Sequence, residues 1–200
     1  VRQIEVNMER WRWLPQELGG RHILVNIAGF ELNVVENGQP VMTMRVVMGK
    51  QERPTPVFSG TLTYLVLCPY WQVPSTIAVK DKLPQIRKDP GYLTRKKIKV
   101  FRGGVAIDPR TINWSEVTAK NFNYRFRQNP GPKNALGRVK FVFPNPFNVI
   151  LHDTPDRELF KRNVRTFSSG CIRVEKPIEL AEYVMRGAPQ WNREKILATL

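Results

Sequence analysis

Two residues of this chain have the types and spacing for nucleophilic chemistry, His152 and Cys171. They lie in the tract His152-Asp153-Thr154-Pro155, followed by Ser168-Ser169-Gly170-Cys171-Ile172-Arg173. A cysteine attacks as its thiolate, and a nearby imidazole both favours loss of the thiol proton and carries that proton. His152 ends a run, Phe147–His152, that reads as a strand and would hold the ring rigidly. Cys171 follows Ser-Ser-Gly, a turn of small residues in which backbone N–H groups can converge on a developing oxyanion. Gly170 admits a backbone conformation that a Cβ would forbid. In an extended stretch Arg173 lies on the same side as Cys171, where it could bind a carboxylate or brace the turn. By residue type alone, a buried core thiol and a satisfied strand-end histidine are the commoner explanation of such a pair. The surrounding sequence has to decide.

The elements that would position this tract are mostly strands. Ile4, Met8 and Trp11 recur at helical spacing over residues 1–14, and Pro15 and Gly19-Gly20 end that helix. His22–Ile27 reads as a buried strand. Phe30–Glu36 and Pro40–Met48 flank Asn37-Gly38, the strongest short hairpin signal in the chain. Thr61–Leu67 and Gly137–Phe143 are further β-rich runs. Residues 75–135 differ: Pro, Gly, Asn and basic residues dominate, apolar periodicity weakens, and a short helix over Lys80–Lys88 is broken by Pro84. This stretch reads as an insertion between strands, since compact domains rarely keep a long structureless loop without a use. Pro177 suits a first helical turn, Ile178, Leu180, Ala181, Val184 and Met185 supply its apolar face, and Asn192 caps a last helix.

Composition narrows the function classes. The chain has 200 residues, 42% hydrophobic and 24% charged, which is a globular composition and excludes disorder, collagen and coiled coil. Two cysteines and two histidines exclude a disulfide scaffold and zinc-finger spacing. No apolar run approaches about 18 residues, so no membrane span is expected. The opening residues read as an amphipathic helix rather than a signal peptide, which suggests a mature or excised domain. Thirty-two Lys and Arg against 17 Asp and Glu leave +15. Nearly half of that surplus sits between Lys80 and Arg102, where nine basic residues face only Asp81 and Asp89. A patch of this kind suits an anionic partner, whether nucleic acid, lipid headgroups or a polyanionic wall polymer.

The pattern of a histidine followed by S-x-G-C-I-R resembles the L,D-transpeptidase catalytic domain, the YkuD domain of bacterial cell-wall enzymes. The likeness extends through Met8-Glu9-Arg10-Trp11-Arg12, Arg45-Val46-Val47-Met48-Gly49-Lys50, Thr55-Pro56-Val57-Phe58-Ser59-Gly60 and Trp71-Gln72-Val73-Pro74. It continues through Asp89-Pro90-Gly91-Tyr92, Pro130-Gly131-Pro132-Lys133-Asn134-Ala135-Leu136-Gly137 and Leu151-His152-Asp153-Thr154-Pro155. These segments are similar to the Gram-negative subgroup that carries a large capping insertion. The resemblance implies an α+β, mainly β fold: a mixed β-sandwich or partly open barrel with flanking helices. It implies one catalytic domain over residues 1–200, with residues 75–135 as the cap.

It also implies a chemistry. Cys171 would be the nucleophile and His152 the proton donor and acceptor, with the backbone N–H groups of Gly170 and Cys171 as oxyanion donors. The donor would be a peptidoglycan tetrapeptide stem and the acceptor a diamino-acid side-chain amine, giving a 3→3 cross-link without metal or cofactor. Carbapenem β-lactams would be inhibitors and the periplasm the expected location. No nucleic-acid partner is expected, and membrane contact would come only through a segment absent from this chain. Many family members have a second histidine where this chain has Ser169, and the third motif position, often Asn, is Arg173. The base must then be His152, because His22, the other histidine, sits in the opening strand. Arg173, Ser169, Trp71, Tyr92 and Asn134 are expected to meet substrate, with Arg138 near them. Asp153 or a backbone carbonyl would orient His152, and Cys68 is expected as a buried thiol. An L,D-carboxypeptidase or cysteine peptidase of peptidoglycan, and a non-enzymatic polyanion-binding domain, are the alternatives.

Overall fold

The computed structural model describes residues 2–12, 15 and 17–200, and the strand patterns in the sequence become twelve strands among them. In chain order these are β1 (Arg21–Asn26), β2 (Glu31–Glu36), β3 (Gln39–Gly49), β4 (Tyr64–Leu67), β5 (Trp71–Val73) and β6 (Ile98–Arg102). They continue as β7 (Val105–Ile107), β8 (Arg125–Gln128), β9 (Val139–Val142), β10 (Leu151–His152), β11 (Thr166–Ser168) and β12 (Ile172–Val174). The α-helices are α1 (Arg2–Arg12), α2 (Ser75–Ile77), α3 (Leu83–Lys88), α4 (Tyr92–Arg95), α5 (Pro177–Met185) and α6 (Arg193–Thr199). Val1, Trp13 and Leu14, at the ends of the expected opening helix, and Gln16 beyond it lie outside the described residues. On α1 itself Ile4, Met8 and Trp11 stand exposed. No described helix is long and apolar enough to cross a membrane.

Two units form. The first comprises Val1–Tyr64, Phe141–Leu151 and Arg157–Lys176. Its centre is an antiparallel meander, β1-β2-β3, with β12 antiparallel and β11 parallel to β3. The expected hairpin is present: Asn37 and Gly38 have φ of 49° and 79°, the left-handed pair a tight two-residue turn needs. A register shift between Val34 and Val35 lets both side chains turn inward. Leu32, Val34, Val46, Val47, Phe141, Ile172 and Val174 fill the interior. Each such apolar side chain contributes about 1.5–3 kcal/mol when fully buried.

One strand is shorter than its sequence suggests. Phe147–His152 shows β-type composition, yet only Leu151–His152 is a strand. The Asn145 carboxamide accepts from Phe147 and Val149 N–H and donates to Phe143 and Val149 carbonyls, coiling residues 143–149 into a turn. Asn148 takes φ of 54° there. A side chain that bonds its own neighbouring backbone offers the chain an alternative to a β-ladder.

The second unit comprises Leu65–Lys140, His152–Asp156 and Pro177–Leu200. Residues 75–135, expected to bury little, have a core of their own. Val73, Ala78, Leu83, Ile86, Leu93, Ile98, Val100 and Phe126 pack together, and Trp114, Phe122, Tyr124 and Phe126 form a chain of tilted and edge-on ring pairs. A four-stranded antiparallel sheet, β5-β8-β6-β7, backs this core. Periodicity failed as a signal here because each element is only three to six residues long, too short to complete a repeat. The expected break at Pro84 does not occur. A π-helical turn, Ala78–Lys82, links α2 to α3, and Pro84 sits in the first turn of α3, where its missing N–H costs nothing.

Side-chain and backbone hydrogen bonds hold this unit's loops and helix ends. Gln128 donates to Lys96 and Lys133 carbonyls at 2.7 and 2.6 Å and accepts from Ala135 N–H. Cys68 N–H donates to Arg138 carbonyl at 2.7 Å, where the chain leaves β4 and re-enters β9. Pro177 opens α5 and Asn192 accepts from Lys195 N–H to cap α6, both as the sequence suggests. The mainly β fold with mixed sheets and a few helices is therefore as expected, with sheets that stay open rather than closing into a barrel.

Candidate active site

The first unit carries the cysteine on a braced turn. β11 ends at Ser168 and β12 starts at Ile172, so Ser169-Gly170-Cys171 make the connection. Gly170 has φ of 112°, a conformation that L side chains rarely adopt, and this is why the position needs glycine. The Ser168 hydroxyl accepts from Gly170 N–H at 3.1 Å and donates to the Cys171 carbonyl, closing the turn on itself. From outside, the buried Thr55 hydroxyl donates to Gly170 carbonyl at 2.8 Å and accepts from Gly49 N–H at 2.9 Å. Ile172 N–H donates to Ile150 carbonyl, tying the base of β12 to the residues just before β10.

Cys171 is half-buried and its thiol is free. The sulfur donates toward Asn148 carbonyl at 3.8 Å, and the left-handed backbone of Asn148 presents that oxygen. Burial pushes the thiol pKa up, while a backbone hydrogen bond from Ile150 and the Arg173 charge pull against it. A thiol with a raised pKa is protonated at neutral pH and would need a base in order to attack. Arg173 sits in β12 opposite Val47.

His152 belongs to the second unit and is 5% exposed. Its Nδ1 lies 2.5 Å from the Asp153 carbonyl oxygen. A carbonyl can only accept, so Nδ1 carries the proton and Nε2 is the basic nitrogen. The backbone carbonyl thus orients the ring. The carboxylate accepts from Arg138 N–H at 2.8 Å, with the Arg138 guanidinium 3.9 Å away. Gly137, at φ of 62°, leaves room for it: a Cβ there would collide with the Asp153 side chain.

Trp71 and Tyr92 come together around Lys82, a residue outside the sequence-based set: its ammonium is 3.0 Å from Tyr92 hydroxyl and 5.3 Å from the Trp71 ring centre. Ser169 is half-buried in the turn. Asn134 is corrected: it is 1% exposed, donates to Pro69, Gln128 and Asn129 carbonyls and accepts from Leu136 N–H. Its N–H donors and an oxygen lone pair hold the chain around the loop between β8 and β9, and the buried side chain is not presented to substrate. Gly170 is corrected in part, because its N–H is turned to Ser168 rather than outward. Cys68 is half-buried with φ of 49° and donates toward Thr199 and Leu200 carbonyls. His22 bonds Gly19 carbonyl through Nδ1, a structural role. Among the described residues no group of three His, Cys, Asp or Glu is placed to hold a metal ion.

Sequence reasoning missed Ser168, Thr55 and Asn148. Ser168 and Asn148 had faint signals, a serine two before a turn glycine and an Asn-Pro-Phe-Asn stretch. Thr55 has none, since its partners lie 6 and 115 residues away. Thr55→Val should strand two buried backbone groups and cost about 2 kcal/mol, lowering the melting temperature by roughly 4–8 °C in scanning calorimetry. Thr55→Ser should recover most of it.

Residues 20–191 match the family model described as the L,D-transpeptidase catalytic domain, YkuD. A Haemophilus influenzae protein provisionally named an L,D-transpeptidase is 37% identical across the whole of this chain. The chain spans 40% of that relative's length. An L,D-transpeptidase from Mycobacterium smegmatis aligns with a TM-score of 0.44 at 16% identity, over 83% of this chain and 54% of that one. L,D-transpeptidase 3 from Mycobacterium tuberculosis aligns with a TM-score of 0.42 at 12% identity, over 79% and 53%. The family match runs from β1 past the end of α5 and takes in both His152 and Cys171, and the chain belongs to the YkuD family of L,D-transpeptidase catalytic domains.

Proposed function

We propose that this chain catalyses cysteine acyl transfer between peptidoglycan stems. Cys171 Sγ attacks the carbonyl carbon between the third and fourth residues of a tetrapeptide stem. The C–N bond breaks, D-alanine leaves with the proton that His152 Nε2 took from sulfur, and a thioester remains. The side-chain amine of a diamino acid on a second stem then attacks that thioester. His152 takes the amine proton, and the thiol is restored as the 3→3 amide forms. Cys171 N–H serves the oxyanion, Gly170 N–H being engaged by Ser168.

The observation that carries this reading is the cysteine itself, protonated by burial and held on a turn fixed from two sides by hydroxyls. The histidine supports it, with Nδ1 donating to the Asp153 carbonyl and the proton thereby placed away from Nε2. Residues 75–135 act as the cap, their basic surplus drawing in the carboxylates of the stems. The work is done in the cell envelope of a Gram-negative bacterium, where the polymer lies.

Mass spectrometry of muropeptides after incubation with tetrapeptide-stem peptidoglycan tests this. Cross-linked dimers and free D-alanine are expected; trimmed tripeptides alone would make the enzyme a carboxypeptidase, and no change would remove the enzymatic reading. A carbapenem, whose strained ring carbonyl is an electrophile for the thiolate, should add once to the protein and not to Cys171→Ala.

A further inference from the structure

Nine basic residues lie between Lys80 and Arg102, and eight of them are exposed. Lys82 is the exception. It is half-buried, 5.3 Å above the Trp71 ring centre and 5.7 Å above that of Tyr92, with its ammonium 3.0 Å from the Tyr92 hydroxyl. Lysine side chains lose rotamer freedom when held this way, and an ammonium ordinarily stays hydrated. Among the described residues its polar partner is a neutral hydroxyl, and no carboxylate is paired with it. An ammonium has three N–H donors, so at least one remains for something else.

The walls of this site are rigid. Trp71 lies in β5, paired with Gln128, and Tyr92 opens α4; both rings pack against the second unit's core. Lys82 is the last residue of the π-helical turn Ala78–Lys82. Such turns have poorer hydrogen-bond geometry than α-helix and recur at functional sites, where an extra residue re-aims a side chain. A widened turn, two packed rings and a phenol therefore fix one positive charge in place.

We infer that Lys82, framed by Trp71 and Tyr92, is a binding site for a carboxylate of a short peptide. The ammonium and the Tyr92 hydroxyl offer two donors at one locus, which matches the two oxygens of a carboxylate. The indole face beside them suits the aliphatic and amide surface of the same ligand. A phosphate would need more donors and charge than one lysine and one phenol supply. The exposed basic residues around it raise the local concentration of anions, and Lys82 selects among them by position. That the ligand is a peptidoglycan stem rests on the function proposed above.

Binding measured on the Cys171→Ala protein separates this from turnover. The probes are a tetrapeptide stem with free carboxylates, the same peptide fully amidated, and inorganic phosphate, each titrated calorimetrically. The free-acid peptide should bind more tightly than its amide, and Lys82→Met should weaken it roughly tenfold while leaving the amide unchanged. Lys82→Arg should restore part of the difference, and Tyr92→Phe should lose a smaller part. Equal affinity of Lys82→Met and its parent for the free-acid peptide overturns the site, as does equal affinity of the parent for acid and amide. Phosphate that displaces the peptide at comparable concentration overturns the choice of carboxylate. The muropeptide assay is independent: cross-linking that persists while this titration fails leaves the acyl-transfer reading standing and removes only Lys82.

Discussion

Cys171→Ala should leave a folded protein that transfers no acyl group. The turn around this position is built from Ser168, Gly170 and Thr55, whose bonds run through backbone atoms and hydroxyls and do not involve the sulfur. Removing a half-buried sulfur from it costs about 1 kcal/mol or less, so the calorimetric transition should shift by only a few degrees. The neighbouring hydroxyls of Ser168 and Ser169 should not substitute, because an alcohol is a far weaker nucleophile than a thiolate. Cross-link formation followed together with a thermal melt separates the two effects. Activity retained in the alanine variant removes Cys171 from its role.

His152→Ala should slow acylation by roughly 10²–10⁴-fold, the range for losing a positioned acid and base. The pH profile is the sharper test. Burial raises the Cys171 pKa, so below that value the thiolate fraction rises about tenfold per pH unit once no base takes the proton. Reaction with a small uncharged alkylating agent should therefore climb steeply with pH in His152→Ala and more gently in the parent. His22→Ala should match the parent, since His22 bonds only a loop carbonyl. A crippled His22→Ala alongside an active His152→Ala would reverse the assignment.

Local geometry was legible where signal and consequence lay in contiguous residues. Ser-Ser-Gly-Cys predicts a turn that needs glycine, and Gly170 at φ of 112° is that turn. Asn37-Gly38 predicts its hairpin, and Pro177 and Asn192 their helices, because each signal and its consequence lie within a few residues. Legibility failed where a side chain acts on distant or local backbone. Thr55 braces Gly170 across 115 positions, which no spacing reveals. Asn134 looks like a polar loop residue free for substrate until its four loop partners are seen. Residues 75–135 hide a core because their elements are too short for a period, although Trp114, Phe122, Tyr124 and Phe126 already mark it by aromatic density.

The hydrogen bond from Cys68 to Arg138 has an evolutionary meaning. A chain that departs and returns across one 2.7 Å contact asks nothing of the sheet beyond two adjacent strand ends. Loop-closure entropy grows only slowly with length, by about 0.6 kcal/mol per doubling, so residues 69–137 form a cassette whose length the two strand ends do not fix. Lys82, Trp71 and Tyr92 travel with that cassette, while Cys171 and His152 stay behind. Lineages could then exchange the residues proposed to read the ligand without altering the turn that carries Cys171.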